Sequence, residues 1–236
     1  PNQLSADRNI CSAAAGIQAA LAIGGDVYCY FQGQDQWATD EWLKKQGIPL
    51  VLWGCSLEPS DIAGRLGKHL QCFDLIVARE TITWNALKLN PELAQKSILG
   101  PDPAFYLKPQ PWKLPDNFCP GQMIGLNISP LVKKKEVSPG ILLQNCHELI
   151  EEILIHTPYG VALIPHVTER GNDDRECLQE LYKPYKDSPR VCMVDDMSCT
   201  KLKYVIGKCR MLIAARTHAS IAAYSQLIPT LVIGYS

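Results

Sequence analysis

Short β-rich apolar runs alternate with longer segments of helical spacing along this chain, and no other feature restricts its fold as strongly. In the second half, the apolar runs lie at 123–128, 161–165, 191–194, 211–215 and 229–233, and the helical segments at 141–155, 173–182, 200–206 and 219–226. In the first half, the apolar runs lie at 19–23, 49–53 and 73–78, with helical spacing at 61–70. This alternation is typical of parallel sheets with crossover helices, so we predict an α/β fold.

A proline-rich segment separates the two series of apolar runs. Residues 108–121 contain four prolines, which favours an extended linker over a helix or a strand. We therefore predict an N-terminal Rossmann-like half at 1–107, a linker at 108–121 and a C-terminal Rossmann-like half at 122–236. The chain begins with an Ala-rich segment of helical character and stops directly after an apolar run. We expect from this that the fold is truncated at both ends and that its N-terminal half is partial.

The charge balance argues against a general affinity for polyanions. With a net charge of −1 over 236 residues, the chain has no global positive field that would attract nucleic acid or anionic lipid. Any anionic ligand must then be held by cations that are placed locally. No apolar run is long enough to span a bilayer, and the first residues lack the order of a signal peptide, so we expect a cytoplasmic protein.

The ten cysteines are expected to be reduced thiols. They occur singly, without a Cys-x-x-Cys pair, and several lie inside apolar runs, including Cys55, Cys192 and Cys209. Buried thiols of a cytosolic protein fit this distribution better than disulfides or a zinc site. The acidic pairs at 173–174 and 195–196 adjoin predicted helix starts, where acidic residues are common, so no metal is predicted.

The most informative segment is the apolar run at 211–215 and the residues that follow it. The predicted strand ends at Arg216, and His218 begins a helix of small residues. In open parallel sheets, ligands bind beyond the carboxyl ends of the strands. The first N–H groups of the helix form an anion site, to which Arg216 adds a planar fork of donors and His218 a group that titrates near neutral pH. In the structural alternative, Arg216 pairs with a surface carboxylate and His218 is an ordinary first-turn residue.

Further candidates also stand where predicted strands end. Arg79 ends the run at 73–78, although an ion pair with the next residue, Glu80, would give it a purely structural role. His166 follows the run at 161–165, with a buried core histidine as the alternative. Asp102 lies between two prolines and is interpreted as a turn residue.

Six segments of the chain resemble the polysaccharide pyruvyl transferase family, and together they run through almost the whole sequence. They lie at 22–26, where the family has a glycine-rich turn, and at 49–54, 77–80, 100–105, 164–166 and 213–223. The most specific of them is the triplet Arg216-Thr217-His218 before the helix of small residues, in which Thr217 stands where the family has a leucine.

This resemblance implies a GT-B-like fold, with two Rossmann-like halves around a cleft, and phosphoenolpyruvate as donor and co-substrate without a further cofactor. The residues at the donor-binding positions are Arg79, Arg216, Thr217 and His218. A dianionic donor needs more than one cationic anchor, and the two arginines, one in each half, are expected to supply them across the cleft. His218 is the candidate catalytic acid and base. Candidate contacts with donor or acceptor are His166 and Gly25.

The activity that the resemblance implies is transfer of a pyruvyl group to a sugar of a cell-surface polysaccharide, with formation of a pyruvate ketal. The partner is then a glycan acceptor, which in lipid-linked form would bring the protein to a membrane surface, and nucleic acid is not expected. Two alternatives remain open. One is a GT-B-type nucleotide-sugar glycosyltransferase in which Arg216 holds a diphosphate, and the other is a non-catalytic carbohydrate-binding derivative. Dinucleotide, P-loop and hydrolase motifs are absent from the sequence.

Overall fold

The computed structural model of the chain describes residues 16–23, 25–29 and 34–234. The chain forms two compact units, Pro1–Pro103 and Ala104–Ser236, and each contains its own parallel sheet. The Ala-rich segment at the start, which is predicted to be helical, lies outside the described residues.

The first unit is a four-stranded sheet with helices in its connections. Its strands are β1 (Ala20–Ile23), β2 (Leu50–Cys55), β3 (Leu75–Ala78) and β4 (Ser97–Leu99). They pair in parallel in the order β1-β2-β3-β4. Its helices are α1 (Gln34–Lys45), α2 (Pro59–Ile62), α3 (Arg65–His69), α4 (Thr81–Lys88) and α5 (Pro91–Ala94). Because all four strands are parallel, their carboxyl ends lie along one edge of the sheet.

The segment at 61–70 contributes to the core of this unit, but not as one continuous helix. Ile62, Leu66 and Leu70, whose spacing indicates a helix, are all buried. Gly64 leaves the helical region with φ −105° and ψ −137°, so the chain stops at α2 and starts again at α3. A 3₁₀ turn at Leu70–Cys72 then leads into β3. The hydrophobic pattern therefore identified the buried face correctly and overestimated the length of the helix.

The second unit is a five-stranded parallel sheet. Its sheet strands are β5 (Met123–Asn127), β6 (Gly160–Leu163), β9 (Val191–Met193), β10 (Met211–Ala214) and β11 (Thr230–Val232). A short antiparallel hairpin consists of β7 (Thr168–Glu169) and β8 (Asn172–Asp173). Its helices are α6 (Pro130–Lys133), α7 (Ile141–His156), α8 (Asp174–Tyr182), α9 (Cys199–Ile206) and α10 (Thr217–Tyr224). The sheet order is β11-β10-β5-β6-β9. The strand order therefore reverses between β5 and β10, which is the position where open α/β sheets bind ligands.

The centre of this sheet is covered on both faces. Every residue of β5 and of β6 is buried, as parallel strands between two layers of helices require. Helix α10 contributes Ala219, Ala222 and Ala223 to the core, and these small side chains allow its backbone to approach the sheet closely. With a parallel sheet in each unit, the predicted α/β fold class is confirmed.

The proline-rich segment at 108–121 contains no helix or strand and packs along the second unit. Phe118 is buried in its core. The side-chain amide of Asn117 donates to the backbone oxygen of Val191 at 2.7 Å, and the backbone N–H of Gln110 donates to Thr200 O at 3.0 Å. These contacts fix an extended segment that the prolines keep out of regular structure.

The nine cysteines among the described residues are all free, and six of them are buried. Burial raises the pKa of Cys55, Cys192 and Cys209 to about 12, so these thiols stay protonated at neutral pH. In the part of the chain that the structure describes, no helix is both long and apolar enough to cross a bilayer. The same residues form no cluster of His, Cys, Asp and Glu that could hold a metal ion.

Candidate functional site

The polar residues of the second unit gather at the switch point between β5 and β10. Arg216 follows β10 and is the N-cap residue of α10, with φ −99° and ψ 129°. Its backbone N–H donates to Oδ1 of Asn127, the last residue of β5, at 3.0 Å. The start of α10 is therefore tied to the neighbouring strand, and the side chain of Arg216 is placed at the carboxyl edge of the sheet, as the sequence predicts.

The guanidinium of Arg216 is buried and makes an ion pair. Its Nε and Nη2 donate to Oδ1 of Asp174 at 3.0 and 2.7 Å. Nη2 also donates to the backbone oxygen and to Oδ1 of Asn172, at 3.0 and 2.8 Å. Within the described part of the chain, Nη1 donates to no hydrogen-bond acceptor. Arg216 is thus held rigidly by two of its three nitrogens, and the third is the one that remains for a ligand.

The two residues that follow Arg216 present the start of α10 at the surface. Thr217 and His218 are both exposed, and the side chain of the N-cap residue Arg216 makes no capping hydrogen bond to the helix. The first N–H groups of a helix carry a partial positive charge, which favours a bound anion. An anion at this point would lie beside both the helix start and the imidazole of His218.

His166 belongs to the same end of the sheet, three residues after the last residue of β6. Its backbone N–H donates to Oδ2 of Asp174 at 3.1 Å. Burial lowers the pKa of His166 to about 4, and the positive charges of His218 and Arg216 act in the same direction. His166 is therefore neutral at physiological pH. It can form hydrogen bonds with a ligand, but it does not supply a positive charge.

The lowered pKa of His166 predicts a loss of stability in mild acid. In the unfolded chain, a histidine takes up a proton near pH 6.5, whereas folded His166 does so only near pH 4. The free energy of unfolding should therefore fall, by about 1 to 3 kcal/mol from this group, as the pH drops from 6.5 to 4. Urea denaturation at several pH values measures the slope. His166→Gln should reduce the change in unfolding free energy with pH, whereas His156→Gln, at an exposed position, should not. Equal slopes in the native protein and both variants would contradict the lowered pKa of His166.

In the first unit, Arg79 is held at the carboxyl ends of the strands by three side chains. Its Nε donates to the hydroxyl of Ser56, which follows β2, at 2.7 Å. Its Nη1 donates to Asp102, which follows β4, at 3.0 Å, and its Nη2 donates to Asp26, which follows β1, at 2.6 Å. Asp102 is buried, whereas the side chain of Asp26 is 59% exposed. The guanidinium therefore faces one buried partner and one partner at the surface.

The structure changes how Glu80 and Asp102 are interpreted. Glu80 does not pair with Arg79 but caps α4, since its carboxylate accepts from the backbone N–H groups of Ile82 and Thr83 at 2.6 and 3.1 Å. Asp102 is more than a turn residue, because it is the buried partner of Arg79. The ion pair of Asp102 joins residues 23 positions apart, which no local pattern reveals.

Gly25 is required by the position of Arg79. A Cβ atom at residue 25 would overlap the Arg79 guanidinium, so only glycine leaves room for it. We expect Gly25→Ala to displace Arg79 from Asp102 and to lower the free energy of unfolding by about 1 to 3 kcal/mol. Chemical denaturation measures this loss. Gly234→Ala is the matched control, because a Cβ there would contact no atom, and equal stabilities of the two variants would count against the packing role.

Asn127 and Asp174 are the residues that the sequence analysis missed. Asn127 is a polar residue at the end of an apolar run, so the rule that selected Arg216 could have found it. Asp174 was assigned to a helix start, and it does begin α8, with Asp173 as the N-cap. Its burial beneath Arg216 has no local signal, since the two residues are 42 positions apart.

The architecture places the chain among GT-B-like proteins, as predicted. The S. aureus MnaA–UDP co-structure matches with a TM-score of 0.60 at 12% identity, over 97% of this chain and 63% of that one. UDP-GlcNAc 2-epimerase from Methanocaldococcus jannaschii gives 0.61 at 12%, over 94% and 64%. The enzyme from Neisseria meningitidis bound to UDP-GlcNAc gives 0.57 at 12%, over 98% and 65%. The chain thus spans somewhat less than two thirds of each of these proteins, and the likeness establishes the fold alone.

The family follows from the sequence itself. The family model for polysaccharide pyruvyl transferase matches residues 6–236, which is nearly the whole chain. The chain belongs to the polysaccharide pyruvyl transferase family, and the resemblance described above is confirmed. A search of curated proteins gave no match.

Proposed function

We propose that this protein is a phosphoenolpyruvate-dependent pyruvyl transferase that forms a pyruvate ketal on a sugar of a cell-surface polysaccharide. Membership of the family supports the activity class. The observation that carries the donor assignment is the start of α10, where the fixed guanidinium of Arg216 adjoins an exposed helix start that bears His218.

Phosphoenolpyruvate is small and carries two anionic groups, so it needs several hydrogen-bond donors within a short distance. Nη1 of Arg216 and the start of α10 with Thr217 provide a site for one of these groups. The charge of Arg216 is largely balanced by Asp174, so the helix dipole and the N–H groups contribute much of the attraction. Arg79 in the first unit, with Gly25 beside it, is proposed as an additional donor contact, as the family resemblance implies.

The proposed reaction begins with proton transfer to the methylene carbon of the donor. Positive charge develops at the central carbon, and a sugar hydroxyl attacks it and loses its proton. The C–O bond to phosphate then breaks, and a second hydroxyl of the same sugar adds and loses its proton, which closes the cyclic ketal and leaves phosphate as the other product. The acid gives one proton to the methylene carbon and recovers one from the first hydroxyl, and the released phosphate takes up the proton of the second hydroxyl, so a single group that acts as acid and then as base is sufficient.

His218 is the proposed acid and base. It is exposed at the first turn of α10, one residue beyond the Thr217 backbone and two beyond Arg216. An imidazole exchanges protons near neutral pH, which suits both halves of the reaction. His166, which is neutral, is proposed as a hydrogen-bonding contact of donor or acceptor rather than as the proton source. The reaction as written requires no metal and no cofactor besides the donor.

The proposed acceptor is a glycan, and a lipid-linked form would place the protein at the cytoplasmic face of a membrane. Sugars with two hydroxyl groups close enough to share one carbon are chemically suitable.

Thermal unfolding with added phosphoenolpyruvate, UDP and UDP-sugars tests the donor. A ligand that binds only the folded chain raises its stability with concentration. We expect phosphoenolpyruvate to raise the melting temperature and UDP-sugars to leave it unchanged. An assay with phosphoenolpyruvate and lipid-linked glycans, read by mass spectrometry, then tests transfer. Stabilisation by UDP-sugars alone would overturn the proposal.

A nucleotide-sugar glycosyltransferase is the second candidate, because the similar structures include complexes with UDP and with UDP-GlcNAc. In that case Arg216 and the start of α10 would hold a diphosphate. The same titration separates the two functions, since the nucleotide would then be the ligand that stabilises the fold.

A further inference from the structure

The carboxylate of Asp174 joins three strand ends of the second unit. Its Oδ1 accepts from Nε and Nη2 of Arg216, after β10. Its Oδ2 accepts from the side-chain amide of Asn127, at the end of β5, at 3.1 Å. The same oxygen accepts from the backbone N–H groups of His166 and Val167, which follow β6, at 3.1 Å each. Five donors thus converge on one carboxylate.

The burial of Asp174 makes this arrangement rigid. The residue is 0% exposed, and a buried carboxylate is stable only when its oxygens are paired. Its own backbone N–H donates to Val167 O at 2.8 Å, which closes the loop between β6 and α8 on itself. Movement of Arg216 or of the loop would leave a buried charge unpaired, so the carboxylate resists both.

The contacts also determine which way Arg216 points. Asp174 and Asn172 together occupy Nε and Nη2, on one side of the guanidinium. Nη1 is therefore the donor directed away from this pair. The backbone of His166 is held by the other oxygen of the same carboxylate. One buried group therefore fixes both Arg216, which is proposed to bind the anion, and His166, which is proposed as a hydrogen-bonding contact.

We propose that Asp174 is the positioning residue of the donor site, which sets the orientation of Arg216 and the place of His166 without contacting the donor. Asn172, on the β7–β8 hairpin, assists by binding Nη2. This inference rests on the proposed function, because it assumes that Arg216 binds the anionic donor. It assigns to Asp174 a role beyond that of the first residue of α8.

The test is a double-mutant cycle on binding of phosphoenolpyruvate, measured by calorimetry and by KM for that donor. Asp174→Asn keeps the shape of the side chain and removes its charge. We expect donor affinity to weaken by about 10- to 100-fold, since small misplacements of a binding group have effects of this size. In the Arg216→Lys background, Asp174→Asn should weaken the affinity for phosphoenolpyruvate by no more than about twofold, because Asp174 acts by orienting the arginine that is absent there.

The chain offers a close control at the adjacent residue. Asp173→Asn makes the same charge change at the same helix start, but Asp173 pairs with Arg175 rather than with Arg216. Asparagine is also a good N-cap, so this variant should keep donor affinity within about twofold of the native value. Thermal unfolding of each variant verifies that it is folded.

Each outcome decides a different point. Native-like affinity in Asp174→Asn, or an equal loss in both Arg216 backgrounds, would overturn the positioning role and leave the proposed function intact. Failure of the native chain to bind phosphoenolpyruvate would overturn the function and this inference with it. If Asp174→Asn does not fold, Asn172→Ala takes its place in the same cycle, with a smaller expected loss; additive effects there would likewise overturn the inference.

Discussion

His218→Ala should abolish turnover and leave donor affinity nearly unchanged. The imidazole is the proposed proton donor and acceptor, whereas Arg216 and the start of α10 are proposed to hold the anionic groups of phosphoenolpyruvate. Loss of a general acid–base group lowers rates by about 10²- to 10⁴-fold. Single-turnover rates and KM for phosphoenolpyruvate, measured on the same preparations, separate the effect on chemistry from the effect on binding.

His156→Ala provides the matched control for this experiment. His156 lies at the end of α7, is exposed and pairs with Glu152 on its own helix, so its removal should leave turnover unchanged. A His218→Ala protein that retains native turnover would remove His218 from the reaction. One that loses donor affinity in proportion to its rate would make His218 a binding residue instead.

Arg216→Ala should weaken donor binding and also destabilise the fold. Its removal leaves the carboxylate of Asp174 buried without a cationic partner, which typically costs about 3–5 kcal/mol. Denaturation measures this loss, and titration with phosphoenolpyruvate below the melting temperature measures the affinity. Arg216→Lys keeps the charge but cannot reproduce the contacts of both Nε and Nη2, so it should lie between the native protein and the alanine variant.

Arg175→Ala is the control for Arg216→Ala, since both arginines pair with an aspartate at the start of α8. The Arg175 pair is partly exposed, so its loss should change the stability little and donor affinity not at all. Native stability in Arg216→Ala would show that the buried pair is not needed by the fold. Native affinity would contradict the donor assignment.

Eight of the described strands could be predicted closely, because each is a short apolar run that is followed by a polar residue or a glycine, whereas β4, β7 and β8 were not predicted. The run at 211–215 predicts β10 within one residue, and the rule that ligands bind at strand ends selects Arg216 before any contact is known. Helix α1 was not predicted, since its sequence QDQWATDEWLKK has few apolar residues. Its place in the fold depends on packing partners that are distant in sequence.

The partners of the candidate residues could not be predicted. Arg79 and Arg216 each stand at a predictable position, but Asp102 and Asp174, which hold them, lie 23 and 42 residues away. An aspartate at a helix start or beside a proline has an adequate local explanation, and that explanation hides its long-range contact. The sequence therefore identifies the cations of the site better than the carboxylates that orient them.

The unequal partners of Arg79 have a consequence for ion selectivity. An anion that binds Nη2 must exchange with the carboxylate of Asp26, which is mostly exposed and therefore easily released to water. A singly charged ion such as chloride would replace one negative charge by another and gain little, whereas a phosphate dianion would bring additional charge to the same guanidinium. If Arg79 contacts the donor as proposed, Asp26 would compete with the anion for Nη2, while Asp102 would hold the other side of the guanidinium during the exchange.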